Sequence, residues 1–213
     1  MASFAPMTLL WVAVVPVKRF AVAKSRLDPG VDGRRQALAR AFAADTITAL
    51  RAVAEVHVVV VVTGDQQAGR SAQGPGVVVL EEPEPGGLNQ AAAAGISWSR
   101  QHHRSAAVAV ISADLPALRP RDVSAVLGLA AAHPSAVVAD REGTGTTMLT
   151  ALPDVAVEPR FGPGSLARHR AGGAVVVSAP DLVRAARDVD TASHLAEAVA
   201  LGVGSETARV LDS

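Results

Sequence analysis

The 213-residue sequence contains no cysteine and no tyrosine, and its positive and negative charges cancel. The absence of cysteine excludes a disulfide scaffold and any metal site built on thiolates. Because 20 acidic residues balance 20 basic ones, the chain lacks the uniformly basic character of a non-specific nucleic-acid binder. Aromatic residues make up only 3% of the chain, so the core must be built from valine, alanine and leucine.

Lysine is also scarce, since Lys18 and Lys24 are the only two lysines beside eighteen arginines. Both lie in the stretch VKRFAVAKSRL, directly after an apolar run. A general preference for arginine explains the eighteen arginines but not two lysines six residues apart. The pair is therefore a candidate functional feature.

The apolar run over residues 7–17 raises the question of a signal peptide or a membrane span. No basic residue precedes this run, and Pro16 and Lys18 end it. Its eleven residues are also too few to cross a bilayer. We therefore predict a buried first strand in a soluble, cytoplasmic protein that does not contact a membrane.

Six valine-rich runs, separated by helical patterns, predict an α/β protein. The runs are almost continuously apolar, as expected for strands covered on both faces. Apolar residues at helical spacing predict helices over residues 34–53, 88–101 and 119–133. This alternation predicts one domain over residues 1–213, in which a mostly parallel sheet lies between two layers of helices. Residues 1–10 are predicted to form a flexible extension. The predicted strands cover residues 9–17, 56–64, 76–82, 106–114, 135–140 and 173–179.

Polar, glycine-bearing stretches follow the predicted strands at their carboxyl ends, where open α/β sheets bind ligands. Bases follow the first strand, Asp114 follows the fourth, and a Gly/Thr loop with Thr146 follows the fifth. Such a set suits a polyphosphate with a magnesium ion, because magnesium prefers carboxylate and phosphate oxygens and lysine offers phosphate a compact charge. A strand-end aspartate alone is more often a turn or cap residue, so the prediction depends on the combination. Neither a Walker loop nor a dinucleotide fingerprint is present.

Two stretches in the last third of the chain are further candidates. EPRFGPGSLARHR places Ser165 among four basic side chains, which suits either an anion pocket or a loop leading to a helix capped by Ser165. In DVDT, Asp190 or Thr191 is suited to cap the next helix, which leaves Asp188 to meet a metal ion. Asp114 and Asp188 would then supply two carboxylates for magnesium.

These stretches together resemble a known family in their order and spacing. They are VKRFAVAKSRL, GGLNQA, SADLPAL, ADREGTGTTML, PRFGPGSLARHR and DVDTASHL. The chain is similar over about residues 10–210 to the CofC/FbiD guanylyltransferases of coenzyme F-420 biosynthesis. The resemblance implies a nucleotidyltransferase with a Rossmann-like sheet of the nucleotide-diphospho-sugar-transferase type, similar to molybdopterin guanylyltransferases.

The resemblance also implies a reaction, in which GMP passes from GTP to a three-carbon phosphorylated acid and pyrophosphate is released. Phosphoenolpyruvate is the expected acid, because the arginine- and alanine-rich composition is typical of high-GC bacteria. The alternatives are 2-phospho-L-lactate or 3-phosphoglycerate, a nucleotidyltransferase for another acceptor, and a GTP-binding module without chemistry. A homodimer and a downstream transferase of the same pathway are the candidate protein partners.

The resemblance assigns roles to nine residues in three groups. The first group binds the acid, the second holds magnesium and serves catalysis, and the third binds GTP. These groups are, in that order, Thr146, Gly162 and Ser165; Asp114 and Asp188; and Lys18, Lys24, Arg26 and Asn89.

Overall fold

A computed structural model describes residues 9–18 and 32–213 of the chain. In this part of the chain, strands and helices alternate over most of the length. In chain order they are β1 (Trp11–Pro16), α1 (Asp32–Arg51), β2 (Val56–Thr63), α2 (Gln66–Ala72), β3 (Val77–Glu81), α3 (Leu88–His102), β4 (Ala107–Ile111), α4 (Pro120–Ala130), β5 (Ser135–Ala139), β6 (Thr146–Ala151), α5 (Ser165–Ala171), β7 (Val175–Val176), α6 (Val183–Ala186), α7 (Ala192–Leu201) and α8 (Ser205–Leu211).

The described strands form one seven-stranded sheet in the order β3-β2-β1-β4-β6-β5-β7. β1 pairs in parallel with β2 and β4, β2 with β3, and β5 with β7. β6 runs against both of its neighbours, β4 and β5. The carboxyl ends of β1, β4 and β5 therefore lie at the same edge of the sheet as the start of β6.

β1 shows why both faces of the sheet are apolar. All six of its residues are buried, and successive side chains point to opposite faces. Trp11, Ala13 and Val15 join a hydrophobic cluster with side chains of α1 and α4, whereas Val12 and Val14 join a second cluster with side chains of α3. Helices thus cover both faces, which confirms the predicted three-layer, mostly parallel α/β architecture.

The C-terminal helices are fastened to α1 by a buried carboxylate. Asp45 accepts hydrogen bonds from the backbone N–H groups of Glu206 (3.0 Å) and Thr207 (2.9 Å), in the first turn of α8. A side-chain carboxylate at this position satisfies N–H groups that have no partner within their own helix. Asp45 therefore joins two helices through bonds between residues 161 and 162 positions apart in the chain.

The six predicted strands and three predicted helices are confirmed, with ends shifted by a few residues. β6, α2, α6 and α8 were not predicted. β6 has the sequence TTMLTA, in which threonine replaces the valines of the other strands, and α2 has only seven residues. Thr191 caps α7 through its hydroxyl, as one of the two predicted alternatives had it.

Two further predictions concern the N-terminal extension and the absence of a membrane span. The extension predicted for residues 1–10 lies outside the described residues except for Leu9 and Leu10. Among the helices that are described, none combines the length and the apolar character needed to cross a membrane.

Candidate active site

The carboxyl ends of β1 and β4 are neighbours, because these two strands pair in parallel. The exposed Lys18 lies just beyond β1, and Asp114 lies just beyond β4. A predicted phosphate-binding lysine and a predicted metal ligand thus leave the sheet at adjacent positions of one edge. Lys24 and Arg26 lie outside the described residues, so their predicted contact with GTP stays a prediction.

Thr46, on α1, holds the backbone next to Asp114. Its hydroxyl accepts a hydrogen bond from the N–H of Leu115 (3.2 Å) and lies 2.8 Å from the carbonyl oxygen of Phe42 and 3.3 Å from that of Ala113. Thr46 is fully buried, so water does not compete for these bonds. The turn that carries Asp114 is therefore fixed to α1 rather than left as a surface loop.

A backbone hydrogen bond brings Asp188 to the same place. The N–H of Val189 donates to the carbonyl oxygen of Asp114 at 3.1 Å, which makes residues 188–189 neighbours of the β4 end. The side chains of Asp114 and Asp188 are both partly buried. The two aspartates predicted from separate motifs are therefore close together in the fold.

Asp114 and Asp188 offer two carboxylates, a donor set that magnesium accepts. Across residues 9–18 and 32–213, no group of three or more histidine, aspartate or glutamate side chains could enclose a metal ion. Magnesium usually takes one or two protein carboxylates and fills its remaining positions with water and substrate phosphate. Asp114 and Asp188 provide that number of carboxylates.

Arg187, next to Asp188, ties this segment to the loop between β5 and β6. Its side chain is 2% exposed and pairs with Glu142 of that loop (Nη2–Oε1 2.8 Å) and with Glu197 of α7 (Nε–Oε2 3.3 Å). Burial alone would raise the pKa of the Glu142 carboxyl, but the hydrogen bond and charge of Arg187 outweigh burial and lower this pKa. Glu142 is therefore ionised at neutral pH and holds the loop against the Asp188 segment.

The start of β6 lies beside the end of β4, where the N–H of Ser112 donates to the carbonyl oxygen of Thr147 (2.9 Å). Thr146, the first residue of β6, is buried, and its hydroxyl lies 3.0 Å from Nδ1 of His169 on α5. Nε2 of the same ring accepts a hydrogen bond from the N–H of Arg160 at 2.9 Å. The predicted acid-binding threonine is therefore linked to the loop that contains Gly162.

The loop over residues 160–163 is held by two further side chains. Asn89 pairs with both backbone groups of Phe161, accepting from its N–H at 2.7 Å and donating to its carbonyl oxygen at 3.2 Å. Arg168 donates to the carbonyl oxygens of Arg160 (3.0 Å), Gly162 (3.3 Å) and Pro163 (2.7 Å). With its carbonyl oxygens turned toward Arg168, the loop can present the N–H of Gly162 to an anion.

Ser165 lies next to Gly162, but it is not the helix cap that the sequence suggested as one alternative. α5 begins at Ser165, and Gly164 is its N-cap residue. The N–H of Ser165 donates to the carbonyl oxygen of Gly162 (3.0 Å), and the side chain is almost fully buried. A backbone bond from Leu166 to Thr144 (3.2 Å) also joins α5 to the loop before Thr146. The three predicted acid-binding residues are therefore brought together.

Close packing also shapes the loop that precedes Thr146. The carboxylate of Asp140 accepts from the N–H groups of Thr144 (2.8 Å) and Gly145 (2.7 Å). A Cβ atom added at Gly145 would lie 2.3 Å from Oδ2 of Asp140, so only glycine fits without movement. The sequence pattern GTGTT thus marks a turn built around Asp140.

Several polar side chains of the site have roles that the sequence does not predict. The sequence places Arg168 and His169 among the bases of an anion pocket, whereas Arg168 holds backbone carbonyl groups and His169 is a buried ring between Thr146 and Arg160. The amide of Asn89, a residue that the resemblance assigns to GTP, bonds to both the N–H and the carbonyl group of Phe161; a contact with GTP stays a prediction. The i, i+3, i+4 spacing of Ser165, Arg168 and His169 was the available signal, because it places all three on one face of α5.

Burial changes the charge of His169. The pKa of its imidazole is lowered to about 4, first by burial and then by the positive charges of Arg168 and Arg160. The ring is therefore neutral at physiological pH and can accept a hydrogen bond at one nitrogen while donating at the other.

Comparison with known proteins places this arrangement in a family. The family model described as guanylyl transferase CofC like matches residues 11–213. The chain belongs to the CofC-like guanylyl transferase family. Its curated relatives include phosphoenolpyruvate guanylyltransferases of Streptomyces coelicolor, 48% identical over 94% of this chain and 95% of the relative, and of Streptomyces scabiei, 49% identical over 93% and 94%.

Solved structures agree with the CofC-like family at the level of the fold. A protein of Desulfovibrio desulfuricans G20 assigned to the nucleotide-diphospho-sugar transferases has a TM-score of 0.67 and 16% identity, and covers 90% of this chain and 96% of its own. A 4-diphosphocytidyl-2C-methyl-D-erythritol synthase of Anaerococcus prevotii has a TM-score of 0.56 and 12% identity, over 91% and 98%. The predicted family and the nucleotide-diphospho-sugar-transferase-like fold are both confirmed.

Proposed function

We propose that this CofC-like protein transfers GMP from GTP to phosphoenolpyruvate, giving enolpyruvoyl-2-diphospho-5′-guanosine and pyrophosphate, in coenzyme F-420 biosynthesis. The observation that carries the proposal is the hydrogen bond from Val189 N–H to the Asp114 carbonyl, which joins the chain segments of the two candidate metal ligands beside the proposed acid-binding residues. Relatives that are nearly half identical over almost the whole chain are named for this reaction.

The chemistry of the reaction needs no side-chain nucleophile. A phosphate oxygen of phosphoenolpyruvate is already anionic; it forms a bond to the α-phosphorus of GTP. The bond from that phosphorus to the bridging oxygen breaks, and pyrophosphate leaves with the electron pair. Catalysis then consists of positioning and neutralising charge, which preorganised groups supply well.

Asp114 and Asp188 would hold magnesium, since magnesium prefers carboxylate and phosphate oxygens. When bound, the ion supplies positive charge to the phosphate groups that react and leave. The aspartates themselves must be held in place, which Thr46 does for the Asp114 turn and Arg187 does for the Asp188 segment. Lys18, with Lys24 and Arg26, would offset the charge that develops on pyrophosphate.

The acid would bind where Thr146, Gly162 and Ser165 meet. Thr146 offers a hydroxyl, and the loop offers the N–H of Gly162, whose carbonyl group is held by Arg168. Gly162 has a φ of 112°, a conformation that favours glycine. These groups are all hydrogen-bond donors, which suits the carboxylate and phosphate oxygens of phosphoenolpyruvate.

Release of pyrophosphate tests the proposal directly. With GTP and magnesium, we expect pyrophosphate when phosphoenolpyruvate is added, and less with 2-phospho-L-lactate or 3-phosphoglycerate. Release with phospholactate alone would change the acceptor and keep the reaction class. No release with any of the three acids would contradict the proposed function.

The two aspartates can be tested in the same assay. Asp114→Asn and Asp188→Asn should each lower kcat at least ~100-fold, as expected for loss of one electrostatic contribution to a transition state. Asp212→Asn, at an exposed position near the C-terminus, is the matched control and should retain the wild-type rate. Wild-type turnover in either active-site variant would remove that aspartate from the proposed magnesium site.

The proposed reaction also implies a cellular location and partners for the protein. GTP and phosphoenolpyruvate are cytoplasmic metabolites, so we place the enzyme in the cytoplasm. Its product joins two phosphates in a reactive diphosphate, and a downstream transferase would consume it. A homodimer stays a prediction, which light scattering would check.

A further inference from the structure

We propose that His169 is a positioning residue that turns the Thr146 hydroxyl into a hydrogen-bond donor for the acid substrate. The inference rests on the acid-binding role proposed above for Thr146. It concerns the direction of one hydrogen bond, from Nδ1 of His169 to the oxygen of Thr146.

The backbone fixes which nitrogen of the ring carries the proton. The N–H of Arg160 lies 2.9 Å from Nε2 of His169, and an amide nitrogen at this position can only donate. Nε2 must therefore accept, and it carries no hydrogen. A neutral imidazole with a bare Nε2 has its single hydrogen on Nδ1.

The surroundings keep the ring neutral and in place. His169 is 3% exposed, and the positive charges of Arg168 and Arg160 disfavour a second proton. Phe161 contacts the ring edge to face, with a centroid distance of 5.1 Å and an interplanar angle of 72°. Glu158, which pairs with the exposed Arg160, is itself exposed. The nearby charges that face the ring are thus mainly positive.

The consequence falls on the hydroxyl of Thr146. Because Nδ1 carries the hydrogen, it donates across the 3.0 Å separation to Oγ1 of Thr146. That oxygen is then an acceptor toward His169, and its own hydrogen is directed to another acceptor. Carboxylate and phosphate oxygens accept and never donate when ionised, so the acid substrate is a matching partner.

The opposite tautomer would reverse this arrangement. With the hydrogen on Nε2, Thr146 would donate to Nδ1 and present only lone pairs to the substrate, which would repel an anion. The Arg160 N–H would also face another N–H. His169 therefore selects anions at Thr146 through a backbone contact on the far side of its ring.

The first experiment measures the tautomer in the full-length, ligand-free protein. Long-range ¹⁵N–¹H spectra of protein with ¹⁵N-labelled histidine distinguish the two neutral tautomers and the imidazolium. The sequence has six histidines, and the signal missing from His169→Gln identifies the one in question. We expect the Nδ1–H form at pH 7. An Nε2–H form or an imidazolium would overturn the proposal, whether or not the enzyme is active.

The second experiment is a double-mutant cycle with Thr146→Val, which removes the hydroxyl and keeps the side-chain shape. The amide of His169→Gln can still accept from Arg160 N–H, but it lacks a donor at the Nδ1 position. In the wild-type background, we expect His169→Gln to raise the KM for phosphoenolpyruvate about 10-fold, as for loss of one hydrogen bond. In the Thr146→Val background, the same substitution should raise this KM less than about 2-fold. The KM for GTP should not change in either background.

His169→Asn is the matched variant, because its amide can donate from the Nδ1 position but cannot reach Arg160. Its effect on the acid KM should therefore be the same with and without the Thr146 hydroxyl. Equal effects of His169→Gln in both backgrounds would overturn the proposal and leave His169 a structural residue. A wild-type enzyme that uses none of the three acids would instead contradict the proposed function, and the NMR experiment would then decide on the tautomer alone.

Discussion

The contact between Asn89 and Phe161 gives the sharpest test of how the candidate site is built. Asn89 lies on α3, and its amide satisfies both the N–H and the carbonyl group of Phe161. We expect Asn89→Ala to loosen the loop that carries Gly162 and to weaken binding of the acid. The resemblance to the family suggested a different role, contact with GTP, so the two interpretations predict different kinetic changes.

The size of the effect follows from the two lost hydrogen bonds. Phe161 is 8% exposed, so its backbone groups would lose most of their polar surroundings. Each bond contributes about 1 kcal/mol net, and a buried group left without a partner costs about 1–3 kcal/mol. A loss of about 2 kcal/mol corresponds to a factor of roughly 30 in an equilibrium constant. The KM for phosphoenolpyruvate should therefore rise by about 10- to 100-fold.

Steady-state pyrophosphate release, with each substrate varied in turn, separates the two roles. We expect a raised KM for the acid, an unchanged KM for GTP and a melting temperature lowered by several degrees. Gln90→Ala, at the adjacent exposed position of α3, is the control and should behave as wild type. A raised KM for GTP with an unchanged KM for the acid would refute the role in the loop and establish Asn89 as a nucleotide ligand.

Three further predictions concern stability and the loop before β6. Asp45→Ala removes the carboxylate that caps α8 and should lower the free energy of unfolding by about 2 kcal/mol in urea; an unchanged midpoint would contradict that role. Because folding lowers the pKa of His169 to about 4, the unfolded chain takes up a proton first as pH falls below about 6.5. Stability should then decrease between about pH 6.5 and 4, by up to about 3 kcal/mol, and equal pH dependence in wild type and His169→Gln would argue against it. Gly145→Ala, which crowds Asp140, should raise the KM for phosphoenolpyruvate and spare that for GTP, and a wild-type value would show that the turn adapts.

The layered fold could be predicted because the signal is local. Strands such as β1 and β2 are valine runs buried on both faces, and the helices between them have one apolar face. β6 could not be predicted from such a signal, because its sequence TTMLTA contains three threonines and no valine. The antiparallel direction of β6 depends on its pairing with β4 and β5, and the local sequence does not contain this information.

The candidate site likewise contains residues that the sequence predicts and residues whose roles it does not predict. Asp114 and Asp188 were predicted from residue type and position, and a backbone bond between their segments brings them together. The roles of Asn89, Arg168 and His169 could not be predicted, because each contacts main-chain atoms of the loop over residues 160–163. Every residue has the same main-chain N–H and carbonyl groups, apart from proline, so the residue type of the partner does not show which side chain it contacts.

The antiparallel direction of β6 has a consequence for how the proposed acid pocket could be altered. Since β5 and β6 form a hairpin, its tip over residues 140–145 lies at the edge where the phosphates would react. A hairpin tip can gain, lose or exchange residues while the paired strands keep their register. The residues proposed for GTP and magnesium on the neighbouring strands, Lys18 and Asp114, instead follow β1 and β4. Natural variation at this one tip could therefore reshape the pocket for a new three-carbon acid and leave the use of GTP intact.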